Sequence, residues 1–317
     1  MTEDIRYMAR CIQLARNGLM TTAPNPMVGA VVVCDGRIIG EGYHVHCGQG
    51  HAEVNALASV RDEDRHLLPQ STIYVSLEPC SHFGKTPPCA DLILSLGLRR
   101  CVVGTVDPFA QVQGRGIQRL RDGGVEVTVG VLEDECRALN KRFFTFHQLH
   151  RPFVTLKWAQ TADGIIGIPT ATSHGGGERL IVSNPTTQMI CHKRRSEHQA
   201  ILVGRRTWEL DQPRLDVRLW TGPSPRRYVL SHSEGDIPTL LRAMWQEGVQ
   251  SLLVEGGRQT LQSFIDLGLW DEAFVETSPH CYGGDGTHAP RLHHALLADT
   301  QFYDGHRMEE WHHEHDA

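Results

Sequence analysis

The chain contains 317 residues, of which 40% are hydrophobic and 21% are charged, and its formal net charge is −6. At about 150 residues per domain, this length predicts two domains that each bury a hydrophobic core. Basic and acidic residues number 15 and 16 in residues 1–149 and 16 and 21 in residues 150–317, with no basic tract, so a nucleic-acid-binding surface is not expected.

The start of the chain and its cysteines indicate the cellular compartment in which the protein is expected. No stretch approaches the roughly 18 apolar residues of a membrane helix, and the acidic pair Glu3-Asp4 lies where a signal peptide would be basic. Nine cysteines, an odd number in a chain of this size, indicate reduced thiols instead of a disulfide framework. We therefore expect a cytoplasmic protein.

The first half of the chain alternates predicted helices and strands. Apolar residues at helical spacing predict helices over residues 5–15, 51–60, 117–121 and 133–147, with a further helix starting near Cys89. Short apolar runs between turn signals predict strands at 28–34, 37–42, 73–76, 101–104 and 125–131. Asp35-Gly36, between the first two strands, is a turn pair typical of a hairpin.

The second half alternates in the same way after a break at His150-Arg151-Pro152, and we place the domain boundary between residues 148 and 149. Strands are predicted at 153–158, 200–203, 228–230, 251–254 and 273–277, and helices at 185–195, 238–247 and 259–267. This alternation predicts two α/β domains with largely parallel sheets. The histidine-rich stretch 309–316 is interpreted as a solvated chain end.

His51, Cys80 and Cys89 have the residue types and the order of a zinc site. A catalytic zinc takes three protein ligands of this kind and keeps the fourth position for a water, whose pKa it lowers to about 7. Glu53, in the first turn of a predicted helix, can reach that water without being a ligand. The order His-x-Glu followed by Pro-Cys is the signature of zinc-dependent deaminases, in which the Glu transfers protons.

The two cysteines are separated by eight residues, whereas common nucleoside deaminases have two. His82 and Lys85 lie in this longer loop, and basic side chains beside the metal favour a substrate with negative charge, such as a phosphate. In the second half, the turn Gly256-Gly257 follows a predicted strand and precedes a helix. Such a turn presents backbone N–H groups to an anion, although no G-x-G-x-x-G fingerprint is present.

These motifs resemble the bifunctional pyrimidine deaminase–reductase family of riboflavin biosynthesis. In the first half the similarity covers residues 23–29, 40–44, 51–53, 107–108 and 114–116, and above all residues 76–89, Ser-Leu-Glu-Pro-Cys-Ser-His-Phe-Gly-Lys-Thr-Pro-Pro-Cys. In the second half it covers residues 156–157, 163–164, 192–195, 200–207 and 254–257.

The resemblance implies a fold and a set of site residues for each half. Residues 1–148 would form a cytidine-deaminase-like three-layer α/β/α domain, and residues 149–317 a dihydrofolate-reductase-like α/β domain that binds NADPH. The implied deaminase residues are the zinc ligands His51, Cys80 and Cys89, the catalytic Glu53, and the substrate contacts Asn25, His44, His82 and Lys85. The implied reductase residues are the cofactor contacts Ala159, Ile181, Thr207, Asp211, Gly256 and Gly257, and the substrate contacts Lys157, Arg179, Arg195, Leu215, Arg218 and Glu255.

The implied function is two successive steps on one phosphoribosylated aminopyrimidine. The first is hydrolytic deamination of 2,5-diamino-6-(5-phosphoribosylamino)pyrimidin-4-one, and the second is NADPH-dependent reduction of its ribosyl group to ribityl. A homo-oligomer is left open. Arg179, Gln199, Gln212 and the short segment after Leu230 depart from the usual reductase pattern, so a deaminase with a non-catalytic second domain is the alternative.

Two further hypotheses are less favoured. A deaminase that edits nucleic acid would need clustered Lys and Arg to bind the phosphate backbone, which this chain lacks. A purely structural zinc module would be closed by four ligands and would leave Glu53 without a role.

Overall fold

The computed structural model describes residues 2–81, 87–109, 113–168, 180–231 and 236–314. The chain divides into two compact units, Met1–His150 and Arg151–Ala317, close to the boundary expected from the sequence. None of the helices in the described ranges is long and apolar enough to cross a bilayer.

A five-stranded sheet forms the centre of the first unit. Its strands are β1 (Gly29–Cys34), β2 (Arg37–Tyr43), β3 (Thr72–Leu77), β4 (Arg100–Thr105) and β5 (Glu126–Val129), in the order β2-β1-β3-β4-β5. Strands β3, β4 and β5 are parallel, but β1 is antiparallel to both β2 and β3. The expectation of a largely parallel sheet is therefore wrong for half of this sheet, because the hairpin turn reverses the chain.

Helices cover both faces of this sheet, which gives the expected three-layer arrangement. They are α1 (Glu3–Ala15), α2 (Ala52–Ala58), α3 (Cys89–Ser95), α4 (Arg115–Asp122), α5 (Glu133–Leu139) and α6 (Lys141–Leu149), with 3-10 helices at Arg16–Gly18 and Asp62–Gln70. Helices α2, α3 and α4 pack on the face that carries Val32, and α1 and α5 on the face that carries Val31 and Val33. Alternate side chains of one strand thus enter two hydrophobic cores.

The single helix predicted over 133–147 is two helices, α5 and α6, that meet at Asn140. The Asn140 side chain accepts a hydrogen bond from the Met27 backbone N–H at 2.8 Å and donates one to the Met27 carbonyl at 2.8 Å. The backbone leaves the helical region at this residue, with φ −111° and ψ 24°. A contact between residues so distant in the sequence leaves no sign in a local pattern.

A seven-stranded sheet forms the centre of the second unit. Its strands are β6 (Phe153–Gln160), β8 (Ala200–Gly204), β9 (Arg226–Leu230), β10 (Ser251–Val254), β11 (Glu272–Thr277), β13 (Ala295–Tyr303) and β14 (His306–His313), in the order β13-β14-β11-β6-β10-β8-β9. Strands β11, β6, β10, β8 and β9 are parallel, and β14 and β13 are antiparallel additions. Two short strands, β7 (Ile165–Gly167) and β12 (Thr287–His288), pair separately.

The helices around this sheet in the described ranges are α7 (Pro185–Ser196), α8 (Arg205–Asp211), α9 (Ile237–Gln246) and α10 (Arg258–Asp266). Helices α9 and α10 bury Leu241, Met244 and Phe264 against one face, which holds the larger core. Helix α8 packs Trp208 against the opposite face, on Ile201 and Val203. The sequence analysis did not predict α8, β7, β12 or β13.

The interpretation of residues 309–316 as a solvated end is wrong for the part of the segment that is described. Strand β14 lies inside the sheet, between β13 and β11, and residues 309–312 of the segment pair with residues 272–275 of β11. Its polar residues partly face solvent, so the segment has the composition of a surface tail although its backbone is fully paired. Residues 315–317 lie outside the described ranges.

Candidate active sites of the two units

Three of the predicted residues meet at one end of the first sheet. His51 caps α2, Cys80 follows β3, and Cys89 is the first residue of α3. The His51 Nδ1 lies 3.5 Å from the Cys80 Sγ and 3.4 Å from the Cys89 Sγ. Contacts with Cys89 and His51 lower the pKa of the Cys80 thiol to about 4, so a thiolate is favoured there. One imidazole and two sulfurs within 4.8 Å of one another suit zinc.

Glu53 lies beside this cluster in the first turn of α2 and is only 3% exposed. Burial, together with the neighbouring Cys80, raises the pKa of its carboxyl to about 7. The structure therefore places the Glu53 carboxyl next to the cluster and away from bulk solvent.

Asn25 and His44 form a pair next to His51. The His44 Nδ1 lies 3.1 Å from the Gly50 carbonyl, which can only accept, so Nδ1 carries the proton. The His44 Nε2 then accepts from the Asn25 side-chain amide at 3.1 Å. Burial lowers the pKa of His44, which favours this neutral form. The pair fixes the orientation of the Asn25 amide, a group that can read the edge of a base. His82 and Lys85 lie outside the described residues.

In the second unit, Lys157, Arg195 and Glu255 gather at the end of the parallel strands. Arg195 donates to both oxygens of Glu255, at 2.8 and 2.7 Å, and both side chains are nearly buried. Burial acts to lower the pKa of the Lys157 ammonium, but Cys191 and the carboxylates of Glu255 and Glu276 outweigh it and raise that pKa. Lys157 is thus a half-buried cation held beside the carboxylates of Glu255 and Glu276.

The segment that contains Leu215 and Arg218 is attached to α7 beside this group. Arg195 Nη1 donates to the Asp216 carbonyl at 3.2 Å, and the Arg218 backbone N–H donates to His192 Nδ1 at 3.1 Å. The Arg218 guanidinium also pairs with the Asp216 carboxylate at 2.6 Å. Four of the predicted substrate contacts, Arg195, Leu215, Arg218 and Glu255, therefore belong to one connected region. Arg179 lies outside the described residues.

The predicted cofactor residues are only partly brought together. Gly257 caps α10 and faces α8, since a Cβ at this position would lie 3.3 Å from the Thr207 Oγ1. Asp211 is exposed at the end of α8, and Ile181 is 78% exposed just before α7. Gly256 has a structural reason to be glycine, because a Cβ there would approach the Thr260 Cβ to 2.7 Å.

Comparisons with known proteins agree with a metal site in the first unit and a reductase site in the second. A family model described as the cytidine and deoxycytidylate deaminase zinc-binding region matches residues 1–105, and the RibD C-terminal domain model matches 152–236 and 234–302. The riboflavin biosynthesis protein RibD of Aquifex aeolicus is 36% identical, over 88% of each chain. The chain belongs to the RibD family.

Further RibD matches cover nearly the whole chain. The RibD protein of Actinobacillus pleuropneumoniae is 42% identical over 90% of this chain and 86% of its own. The crystal structure of a diaminohydroxyphosphoribosylaminopyrimidine deaminase/5-amino-6-(5-phosphoribosylamino)uracil reductase from Thermotoga maritima has a TM-score of 0.87, with 32% identity over 98% of each chain.

These RibD matches confirm the fold class, the pairing of a zinc-dependent deaminase with a reductase, and the use of zinc and NADPH. The deaminase-only alternative gains no support from them, because the RibD C-terminal domain model covers most of the second unit.

The sequence analysis assigned no role to Glu78, which lies in the matched stretch 76–89. The Glu78 carboxylate, 4% exposed, accepts from the backbone N–H groups of Asp107 and Gly114 on one oxygen, at 3.2 and 2.9 Å. Its other oxygen accepts from Gly116 and Ile117 at 2.9 and 3.3 Å. Glu78 thereby joins the end of β3 to the start of α4. This contact fixes the position of the segment that leads from β3 to Cys80. A lone charged residue at the end of an apolar strand was the available signal.

Proposed function

We propose that this RibD-family enzyme deaminates its aminopyrimidine substrate in the first unit and reduces the product in the second. The observation that carries the proposal is the cluster of His51, Cys80 and Cys89 with Glu53 buried beside it. Its donor atoms and spacing suit zinc, and the adjacent carboxyl suits proton transfer.

In the first unit, His51, Cys80 and Cys89 would hold zinc, which when bound activates a water molecule as the nucleophile. Glu53 takes a proton from the water that adds to the ring carbon and returns one to the exocyclic nitrogen, which leaves as ammonia. Asn25, oriented by His44, would hydrogen-bond to the pyrimidine edge. His82 and Lys85 would meet the ribose phosphate, as their basic character suggests.

In the second unit, bound NADPH would supply a hydride to C1′ of the sugar, where the new C–H bond replaces the ring C1′–O4′ bond and the released O4′ takes up a proton. Thr207, Asp211, Gly257, Gly256, Ala159 and Ile181 would hold the cofactor, and the close approach of Gly257 to Thr207 provides a place where a backbone can reach a phosphate. Lys157 would donate a proton or a hydrogen bond to the reacting end of the sugar. Arg195 keeps the Glu255 carboxylate in place, and Arg179, Leu215 and Arg218 would contact the rest of the substrate.

We further propose that the substrate is 2,5-diamino-6-(5-phosphoribosylamino)pyrimidin-4-one and that the enzyme works in the cytoplasm. The substrate rests on the activity that the Thermotoga maritima structure is named for. The compartment rests on none of the nine cysteines forming a disulfide, which suits a reducing environment.

The experiment follows ammonia release and NADPH oxidation separately in the purified protein given this substrate. Wild type should do both. Glu53→Gln should keep its zinc and lose deamination by about 10²–10⁴-fold, because only the proton carrier changes. The same variant should still oxidise NADPH when given the deaminated substrate. A fully active Glu53→Gln enzyme, or active wild type without zinc, would refute the assignment of the first site.

A further inference from the structure

A buried polar cluster in the second unit takes part in none of the steps above. Its centre is Glu276 on β11, whose side chain is fully buried. One carboxylate oxygen accepts from the Ser183 hydroxyl at 2.6 Å. The other accepts from the Thr187 hydroxyl at 2.6 Å and pairs with the His306 Nδ1 at 2.8 Å. A buried carboxylate is costly unless such partners satisfy it, and a satisfied network specifies a single arrangement.

The partners of Glu276 lie at the start of α7. Thr187 is in the first turn of this helix, and Ser183 immediately precedes its cap residue, Asn184. A second set of bonds ties the same turn to the β13–β14 hairpin, because Asn184 donates to the Tyr303 carbonyl at 3.1 Å and Thr186 to the Asp304 carboxylate at 2.8 Å. The beginning of α7 is thus held by hydrogen bonds to β11 and to the hairpin.

Core packing does not hold the residues just before this turn. Ile181 is 78% exposed, and Leu180, Val182 and Ser183 are neither buried nor fully exposed. Hydrogen bonds from Ser183 and its neighbours must therefore set the position of Ile181. Glu276 also lies beside the reductase site, since it is opposite Ala159 in the β11–β6 pairing. Ala159 and Ile181 are both predicted cofactor contacts.

We propose that Glu276, supported by His306, is a positioning residue of the reductase that fixes the segment 180–183 for binding of the dinucleotide cofactor. The inference rests on the proposed function of the second unit, and it adds a residue that does not itself touch the cofactor. It acts through Ser183 and Thr187, and its loss should affect cofactor binding more than turnover.

The test measures KM for NADPH and kcat of the reductase step in Glu276→Ala and Glu276→Gln. Both substitutions remove the negative charge near Lys157, so their effects on kcat should agree within about twofold, whereas only alanine removes all three bonds and should raise KM for NADPH about tenfold or more. Glutamine retains one carbonyl acceptor and can donate to the Ser183 hydroxyl, so it should keep KM within about threefold of wild type. A purely structural role would instead lower the active fraction, and hence kcat, without changing KM.

A matched control is Glu272→Ala. Glu272 lies on the same strand and face of β11 and is also buried, but it forms an ion pair with His312, and its charge acts on Arg194 in the last turn of α7, away from Ser183 and Thr187. Its loss should leave KM for NADPH unchanged. If Glu276→Ala does not fold, Ser183→Ala, which removes one bond from a partly exposed residue, should still raise KM about threefold.

The inference would be overturned if KM for NADPH were unchanged in Glu276→Ala or, where that variant is unfolded, in Ser183→Ala. An equal rise of this KM in Glu272→Ala would overturn it as well. If wild type itself neither binds nor oxidises NADPH, the proposed reductase function fails and the inference fails with it. Tryptophan fluorescence of the same preparations, which reports only the second unit, separates both results from misfolding of that unit.

Discussion

Replacing Glu78 by Gln should destabilise the first unit and loosen its zinc site, although this side chain touches no substrate. The substitution keeps the size of the side chain but exchanges one carboxylate oxygen for an NH2 group. Each oxygen of Glu78 accepts from two backbone N–H groups. In either orientation of the new amide, two of these four N–H groups face a donor.

The magnitude follows from those two lost acceptors. A buried donor left unsatisfied costs about 1–3 kcal/mol, so the two together predict a loss of about 2–6 kcal/mol. Removing the negative charge from the N-terminus of α4 adds about 0.3–1 kcal/mol. The strand end cannot move to compensate, because α4 already contacts it closely, as shown by the 1.9 Å that would separate a Cβ at Gly116 from the Pro79 carbonyl oxygen.

The two units can be followed separately in one urea titration. All six tryptophans lie between residues 158 and 311, so tryptophan fluorescence reports only the second unit. Zinc release to a colorimetric chelator reports the first. With a urea dependence of about 1–3 kcal/mol per molar, a loss of about 3 kcal/mol should lower the midpoint of zinc release by about 1–3 M. The fluorescence midpoint should not change.

The control is Glu63→Gln in the same unit. Glu63 is 72% exposed at its side chain and pairs with Arg61 at 3.5 Å, so its change should stay within about 0.5 kcal/mol. If zinc release from Glu78→Gln occurs at the wild-type urea concentration, the four hydrogen bonds do not hold the Cys80 segment, and the reasoning is refuted.

Three further predictions concern the second unit. Arg151→Ala removes the cation that donates to both oxygens of buried Asp271, at 2.6 and 2.8 Å, and should cost about 3–5 kcal/mol by tryptophan-monitored urea unfolding; an unchanged midpoint would contradict this. Burial lowers the pKa of His192, so the unfolded chain binds the proton more readily and stability should fall as pH drops below about 6.5. Asn does not titrate, so His192→Asn should reduce the dependence of stability on pH in this range. The same pH dependence in wild type and variant would contradict the assignment to His192. Gly257→Val should weaken NADPH binding about tenfold, or ~1.4 kcal/mol, in a fluorescence titration, with zinc content as the control; wild-type affinity would remove this glycine from the cofactor site.

The deaminase cluster was predictable because zinc chemistry restricts both residue type and order. His51, Glu53, Cys80 and Cys89 are separated in sequence, yet each belongs to a short motif whose residue types and order are typical of a catalytic zinc site. The structure then brought the sulfurs and the imidazole together as expected. The reductase residues were harder to find, because Lys157, Arg195 and Glu255 lie in three separate parts of the chain and share no motif of fixed spacing. These residues were predicted only from the resemblance to a family, because the spacing of residues in this sequence did not indicate them.

Some features had no local signal at all. Asn140 interrupts a helical pattern because its side chain bonds to Met27, far away in the sequence. Strand β14 has the composition of a polar tail, but its pairing with β11 and β13 places it inside the sheet. In both cases the deciding hydrogen bonds join distant residues, so no window along the chain contains both partners.

The sequence by itself determined the two α/β units, the boundary near residue 150, the hairpin and the set of proposed zinc ligands. Each of these depends on periodicity, turn chemistry or ligand type, which are properties of neighbouring residues. Only the tertiary structure decided that Glu78 fixes the Cys80 segment and that Glu276 joins β11 to α7. A buried carboxylate is specified by the N–H and O–H groups that converge on it in space, and those groups come from parts of the chain that meet only after folding.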